Sequence, residues 1–152
     1  PARSWVVEDG LITLKREFDG QEHNSDYLWA GELYGDFVVE LEFKVPEKAN
    51  SGIYLRTGDV RDPVYTGIEV QVANSHGQTT LSKTGTAGAI YDCLAPTKNV
   101  IKAPGEWNRY RITCRRSGPT STRASSARAG TSCARKPLRG RRRWASFHKM
   151  QI

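Results

Sequence analysis

The sequence has few cysteines and no long apolar run, and both features exclude whole classes of protein. A membrane-spanning helix needs roughly 18–20 apolar residues in succession, and none of the 152 residues lie in such a run. Three cysteines are too few for a disulfide-rich scaffold. Cys93 and Cys114 either pair, which would indicate an oxidising compartment, or stay free thiols. The first residue is Pro1 and no apolar leader follows it, so either a leader was removed or the sequence is a fragment.

The last quarter of the sequence has no acidic residue at all. Residues 115–152 contain 11 Lys and Arg and neither Asp nor Glu, whereas residues 1–114 contain 12 Lys and Arg with all 16 Asp and Glu. The formal charge of +7 is therefore the sum of −4 and +11. Residues 115–137 also lack every large apolar side chain, so they cannot bury enough surface to fold. We expect a domain over residues 1–114 and a basic tail over residues 115–152 that is disordered or read out of frame.

Residues 1–114 have the pattern of short β-strands. From Phe37 to Val45, apolar side chains alternate with polar ones, which is typical of a strand with one face in a core. No helical stripe of 10 residues or more is present, and glycine, asparagine or aspartate lies at most joints. We expect an all-β, antiparallel β-sandwich or barrel. Its strands are predicted at residues 11–14, 37–45, 52–56, 67–72, 88–91 and 107–113.

Two of these strands place polar groups on one face. Arg56 alternates with the aliphatic residues of its strand, as do Glu69 and Gln71 in theirs. If the strands share a sheet, these three side chains can gather on the face away from the core. A carboxylate beside a guanidinium and a carboxamide can abstract a proton or hold sugar hydroxyls. The alternative is a solvated face with a cross-strand ion pair.

Further candidates lie in loops and among the aromatic residues. His76 follows the Glu69 strand and could act as an acid, a base or a metal ligand, or simply face solvent. Tyr54, Tyr91 and Trp107 suit stacking against a sugar ring, but they suit a core equally well. The sequence has no strong metal-binding spacing, no phosphate-binding glycine loop and no nucleophile elbow. The metal therefore stays unknown, with a divalent ion as an open option.

Five blocks of residues 5–114 together resemble the bacterial 3-keto-disaccharide hydrolase family. They occur in the family's order, and the resemblance ends at Cys114, before the family's last strands. The resemblance implies a concanavalin-like jelly roll, here without its last strands, and export to the periplasm or the cell exterior. The blocks are Tyr34–Phe37, Asn50–Arg56, Gly67–Val72, Gly88–Pro96 and Pro104–Asn108.

The family's chemistry matches the polar face described above. A ketone at sugar C3 acidifies the proton on C2, whose removal allows the group on C1 to leave, and addition of water completes a net hydrolysis. The geometry of the polar face, rather than the resemblance, assigns the roles: Glu69 as base or metal ligand, Arg56 as enolate or substrate stabiliser, and Gln71 as hydroxyl binder. His76 is a further catalytic candidate, and Tyr54, Tyr91 and Trp107 are candidate substrate contacts.

Two other functions remain open. A non-catalytic carbohydrate-binding sandwich would have the same fold, and it is favoured by Asn74, which stands where many family members carry an acidic residue. A nucleic-acid binder would act through the basic tail. The tail has none of the sequence-specific modules, so we expect a small carbohydrate as partner and do not favour nucleic acid. The sugar, its linkage and the oligomeric state are not specified by the sequence.

Overall fold

The computed structural model describes residues 4–15, 17–18, 21–22, 26–115, 143–146 and 150–151. Strands dominate this part of the chain, and its one helix, α1, has four residues. The elements are β1 (Trp5–Glu8), β2 (Leu11–Leu14), β3 (Glu17–Phe18), β4 (Gln21–Glu22), β5 (Phe37–Lys44), β6 (Asn50–Leu55), α1 (Pro63–Thr66), β7 (Ile68–Ala73), β8 (Asn108–Cys114), β9 (Arg143–Ser146) and β10 (Met150–Gln151).

The larger sheet is built around β5. Its strand order is β1-β2-β10-β5-β8, and β8 pairs antiparallel with β5 from Phe37 opposite Cys114 to Phe43 opposite Asn108. Val39, Leu41 and Phe43 are buried while the residues between them are not. The alternation of apolar residues therefore predicted both the strand and its core face.

Two short strands from the basic tail join this sheet, which the sequence did not predict. β9 pairs in parallel with residues 37–40 of β5, and β10 pairs in parallel with both β5 and β2. Backbone pairing satisfies the edge of β5 that β8 leaves open, and it requires no side-chain alternation. The division at residue 114 and the character of the rest of the tail stay predictions, because residues 116–142 lie outside the described residues.

The second sheet carries the polar face. β6 and β7 pair antiparallel, with Tyr54 opposite Glu69 and Gly52 opposite Gln71. The predicted strand at 88–91 is only a bridge between Ile90 and Val70. The chain reverses immediately afterwards, because Ile90 also pairs with Leu94 and Asp92 has a left-handed φ of 53°. This reversal lays the segment that includes Tyr91 along the free edge of β7.

The core lies between the two sheets and confirms the predicted all-β sandwich. Phe43 of β5 and Val72 of β7 are fully buried in it. Tyr110 of β8 crosses the core, packs edge-on against Phe43 at 4.6 Å between ring centroids, and donates a hydrogen bond to the Gln71 carbonyl at 2.9 Å. Burial raises the pKa of Tyr110 to about 12. This contact ties the larger sheet to the backbone of the strand that carries Glu69.

The cysteines of the described residues answer one question that the sequence left open. Cys93 and Cys114 are both free thiols, so the alternative of a disulfide between them is not realised. Cys133 lies outside the described part. None of the helices in the described ranges is long and apolar enough to cross a membrane.

Candidate active site

Glu69 is held by the tyrosine directly opposite it. The Tyr54 hydroxyl donates a hydrogen bond to Glu69 Oε2 at 2.9 Å. Burial, together with the hydrogen bond to Glu69 and the negative charge of that residue, raises the pKa of Tyr54. Tyr54 is therefore a hydrogen-bond donor at neutral pH, and it fixes one carboxylate oxygen. No second hydrogen bond to the Glu69 carboxylate forms within the described residues.

Gly52 provides the space in which the Glu69 side chain lies. A Cβ on Gly52 would overlap Glu69 Oε1 and would come within 2.6 Å of Cγ and 2.7 Å of Cδ. Gly52 and Glu69 are diagonal neighbours on one face, where long side chains reach across the ladder. The missing side chain at position 52 therefore lets the carboxylate lie flat across β6 while it binds Tyr54.

Gln71 lies on the same face as Glu69, as the sequence predicted, but it is only 2% exposed. Its Nε2 donates to Asn50 Oδ1 and to the Thr84 carbonyl, both at 2.9 Å. Since a backbone carbonyl can only accept, this bond fixes the orientation of the Gln71 amide. It also fixes Asn50, whose Oδ1 faces Gln71 and whose Nδ2 is directed elsewhere. Gln71 Oε1 is buried without a partner in the described part of the chain.

An open depression of about 350 Å³ lies beside Gln71. Tyr91 borders it with a ring that is 44% exposed, and the Tyr91 amide donates to the Glu69 carbonyl at 2.9 Å. Glu69 lies two residues before Gln71 on the same face, so the carboxylate is next to the depression rather than in its wall. The lining residues are Ala49, Asn50, Gln71, Ala73, Asn74, Thr84, Gly85 and Tyr91.

Arg56 does not join this face, contrary to the alternation of its strand. Its φ of 56° is left-handed, so the chain turns immediately after β6. The Arg56 Nε donates to Cys114 Sγ at 3.2 Å, and its guanidinium lies 3.8 Å from Asp36 and 5.7 Å from the Phe37 ring centre. These partners belong to the larger sheet or to the residue just before it. Arg56 therefore anchors one end of the sandwich, and the structure gives it no contact with Glu69.

His76 and Trp107 also lie away from Glu69. His76 is exposed in the loop after β7, and its Nδ1 lies 3.3 Å from the Ile101 carbonyl. Four residues of strand separate Glu69 from the end of β7 at Ala73, a span of about 13 Å at 3.3 Å per residue. Trp107 adjoins the larger sheet, where the Lys44 ammonium lies 5.3 Å from its ring centre. The structure thus groups Tyr54, Glu69, Gln71 and Tyr91 and leaves out Arg56, His76 and Trp107.

An aromatic run continues the site beyond Tyr54. Tyr27 packs edge-on against Tyr54 at 5.7 Å, and Trp29 packs against Tyr27 at 5.9 Å between ring centroids. Tyr27 was not a candidate in the sequence, because no local pattern links residue 27 to residue 54. Asn50 and Gly52 were not candidates either. Their roles depend on the β6–β7 register, which the sequence does not specify.

The residues at hand do not form an evident metal site. Within the ranges that the structure describes, no group of three or more His, Cys, Asp or Glu side chains is placed to hold an ion. Glu69 is paired instead with a tyrosine, which at neutral pH is a donor.

The structure is a β-sandwich in which a carboxylate is held beside a polar depression and a row of aromatic rings. Comparison of the sequence with known families identifies the family to which the chain belongs. The sequence model of the 3-keto-alpha-glucoside-1,2-lyase-like domain matches residues 1–120. The chain belongs to this family, which confirms the resemblance seen in its motifs.

Two relatives illustrate the match. A 3-keto-disaccharide hydrolase of Bacteroides thetaiotaomicron is 28% identical over 128 residues, which cover 71% of this chain and 43% of that protein. The chain thus spans less than half the length of that relative. A crystal structure of a candidate glycosyl hydrolase from Parabacteroides distasonis is 32% identical, with a TM-score of 0.46 over 51% of this chain and 41% of that one.

Proposed function

We propose that this chain cleaves 3-keto-glycosides, with Glu69 as the general base. The observation that carries the proposal is the Glu69 carboxylate, which Tyr54 holds by one oxygen at 2.9 Å beside a depression of about 350 Å³. Oε1 is the oxygen that Tyr54 leaves open to a substrate. Membership of the family supports a keto sugar as the substrate class.

The reaction follows from the acidity that a C3 ketone gives to the adjacent C2–H bond. Glu69 removes the C2 proton, and the electron pair of the C–H bond forms an enolate on C2, C3 and the C3 oxygen. The enolate then reforms the C3 carbonyl and a C1–C2 double bond, while the C1–O bond breaks. The leaving oxygen takes up the proton that Glu69 holds, which restores the carboxylate. Water adds its hydroxyl to C1 and a proton to C2, so the net change is hydrolysis.

Hydrogen-bond donors must stabilise the negative charge on the C3 oxygen. The sequence favoured Arg56 for this role, but that side chain is held at Asp36 and Cys114. We assign it instead to Asn50, because Gln71 holds Asn50 Oδ1 and thereby directs Nδ2 away from itself, at the border of the depression. Gln71 itself is only 2% exposed, so it acts on the substrate through Asn50, whose amide it orients.

The proposal is tested by turnover of a 3-keto-disaccharide by the purified chain. Glu69→Gln removes the base but keeps its shape, so we expect a loss of at least about a hundredfold in kcat. The matched control is Glu106→Gln, an exposed carboxylate in the turn before β8, which should leave kcat unchanged. Equal turnover by the wild type and Glu69→Gln would contradict the assignment of the base.

A second candidate function is a carbohydrate-binding module without catalysis. It is favoured by the placement of Arg56, which leaves no positively charged side chain in contact with Glu69 in the described part of the chain. Binding of a 3-keto-disaccharide in a calorimeter, with no product after prolonged incubation of the wild type, would select this function over the enzyme.

We further propose that the chain acts outside the cytoplasm, in the periplasm or beyond it, as the family resemblance implies. Fractionation of the native host with an antibody against the chain tests this placement. Recovery in the cytoplasmic fraction alone would contradict it.

A further inference from the structure

A chain of three aromatic rings leads from the Glu69 carboxylate to the protein surface. Tyr54 bonds the carboxylate, Tyr27 packs edge-on against Tyr54 at an interplanar angle of 75°, and Trp29 packs against Tyr27 at 30°. Trp29 is 37% exposed. Neither Tyr27 nor Trp29 borders the polar depression, so the site has a polar part at Gln71 and a separate aromatic part at Trp29.

The segment that carries Trp29 is anchored at both ends. At its start, the Ser4 amide donates to Asp26 Oδ2 at 2.7 Å and the Trp5 indole donates to the Asp26 carbonyl at 3.3 Å. At its end, Arg56 lies 3.8 Å from Asp36. A loop fixed in this way presents an aromatic ring at low entropic cost, which is what a stacking platform requires.

We propose that Trp29, supported by Tyr27, is the platform that binds the leaving group of the substrate when that group is a ring. This inference rests on the proposed function. The keto sugar occupies the polar part of the site, where its hydroxyls and its C3 oxygen find hydrogen-bonding groups. The group on C1 extends past Glu69 to Trp29, whose ring covers the apolar face of a second sugar or of an aryl group.

The polar part of the site and the aromatic part differ in chemistry, and the keto sugar and the leaving group of the substrate differ in the same way. The depression offers the Asn50 side-chain amide and the Thr84 carbonyl, which suit a ring whose oxygen atoms are each bound by a hydrogen bond. The platform adds no charged group of its own, so it suits a range of rings with one apolar face. We therefore infer selection for ring-bearing 3-keto-glycosides over 3-keto-glycosides with a small alkyl group.

The test compares two substrates that share the keto ring, a 3-keto-disaccharide and methyl 3-keto-α-glucoside. Loss of a stacking contact weakens binding by about tenfold. Trp29→Ala should thus raise KM for the disaccharide about tenfold with kcat little changed, and should leave both constants for the methyl glycoside unaltered. Trp29→Phe should recover most of the loss. Tyr65→Ala, which removes a 79% exposed aromatic ring on α1, should change neither substrate's constants.

Binding to the Glu69→Gln chain separates this inference from the proposed reaction. When Trp29→Ala is added to the Glu69→Gln chain, calorimetry should show an affinity for the disaccharide about tenfold lower. The affinity for the methyl glycoside should not change. If the wild type turns over neither substrate and this pattern still holds, the reaction fails and the platform stands. An equal effect on both ligands, no effect on either, or no binding of the disaccharide would overturn the platform.

Discussion

Tyr54 and Glu69 lie directly opposite each other on β6 and β7, and the Tyr54 hydroxyl donates to Glu69 Oε2 at 2.9 Å. This pair sets which oxygen of the carboxylate is occupied and which is open. A base must be held in reach of the proton it removes. The proposed removal of a proton by Glu69 therefore depends on this one cross-strand contact.

Removal of the Tyr54 hydroxyl should impair catalysis more than binding. Tyr54→Phe keeps the ring contact with Tyr27 and removes the bond to Glu69, so we expect kcat to fall about tenfold or more, since hydrogen bonds to charged groups contribute about 1.5–3 kcal/mol. Steady-state kinetics on a 3-keto-disaccharide checks this. Tyr65→Phe is the matched control, and an equal loss there would show that the effect is not specific to Glu69.

A methyl group at position 52 should displace the carboxylate without unfolding the chain. The contacts that a Cβ would meet belong to the Glu69 side chain, which can rotate away at the cost of its bond to Tyr54. Gly52→Ala should therefore lower kcat by an order of magnitude or more, while the thermal midpoint stays within a few degrees of wild type. Gly31→Ala, where nothing lies within 4 Å of the new Cβ, should leave both unchanged. Full activity of Gly52→Ala would contradict the proposal that the Glu69 carboxylate must lie over Gly52 for catalysis.

Gln71 should contribute to stability as well as to the site. Gln71→Leu removes the two hydrogen bonds that Nε2 donates to Asn50 Oδ1 and the Thr84 carbonyl, which together contribute about 1–3 kcal/mol. We expect the free energy of unfolding in denaturant to fall by that amount and the affinity for a 3-keto-disaccharide to fall with it. Gln78→Leu, an exposed position in the following turn, serves as the control. Unchanged affinity in Gln71→Leu would remove Gln71 from the site.

Buried tyrosines make the fold sensitive to alkali. The pKa of Tyr110 is raised from 10.0 to about 12, so the unfolded state loses its proton first as the pH rises. Tyr110 thus contributes stability that is complete below pH 10 and lost progressively between pH 10 and about 12. The pKa of Tyr54 is raised as well, which adds in the same direction.

Denaturant unfolding at pH 8 and at pH 11 measures this contribution. The wild type should lose more free energy of unfolding between the two pH values than Tyr110→Phe does. Tyr65→Phe, which changes an exposed tyrosine, should behave as the wild type. The same loss in all three chains would show that Tyr110 does not titrate as its burial predicts.

The parts of the site that follow from strand periodicity were predictable from the sequence. A period of two places Glu69 and Gln71 on one face of β7 and gives β5 its core face, and both predictions hold. The pairing of Tyr54 with Glu69 was not predictable, because the register between two strands depends on tertiary contacts. Asn50 is placed by an amide-to-amide bond across 21 residues, which leaves no trace in the local pattern.

Three candidate residues lie away from Glu69 for identifiable reasons. Strand alternation assigned Arg56 to the polar face, but a φ of 56° ends that alternation one residue earlier. His76 and Trp107 border strands, where the direction of a side chain depends on how the loop closes. The packing of segments distant in sequence determines where each of these three side chains lies. Composition and periodicity carry no information on that packing.

The most direct test of the central claim is to follow the C2 hydrogen of the substrate. When the wild type cleaves a 3-keto-disaccharide in D₂O, removal of the C2 proton and addition of water across C1–C2 should place one deuterium on C2 of the released 3-keto sugar. Mass spectrometry and NMR detect it at early times, and preformed product incubated with the wild type for the same time corrects for exchange without cleavage. Product that keeps its original hydrogen at C2 would contradict proton removal by Glu69.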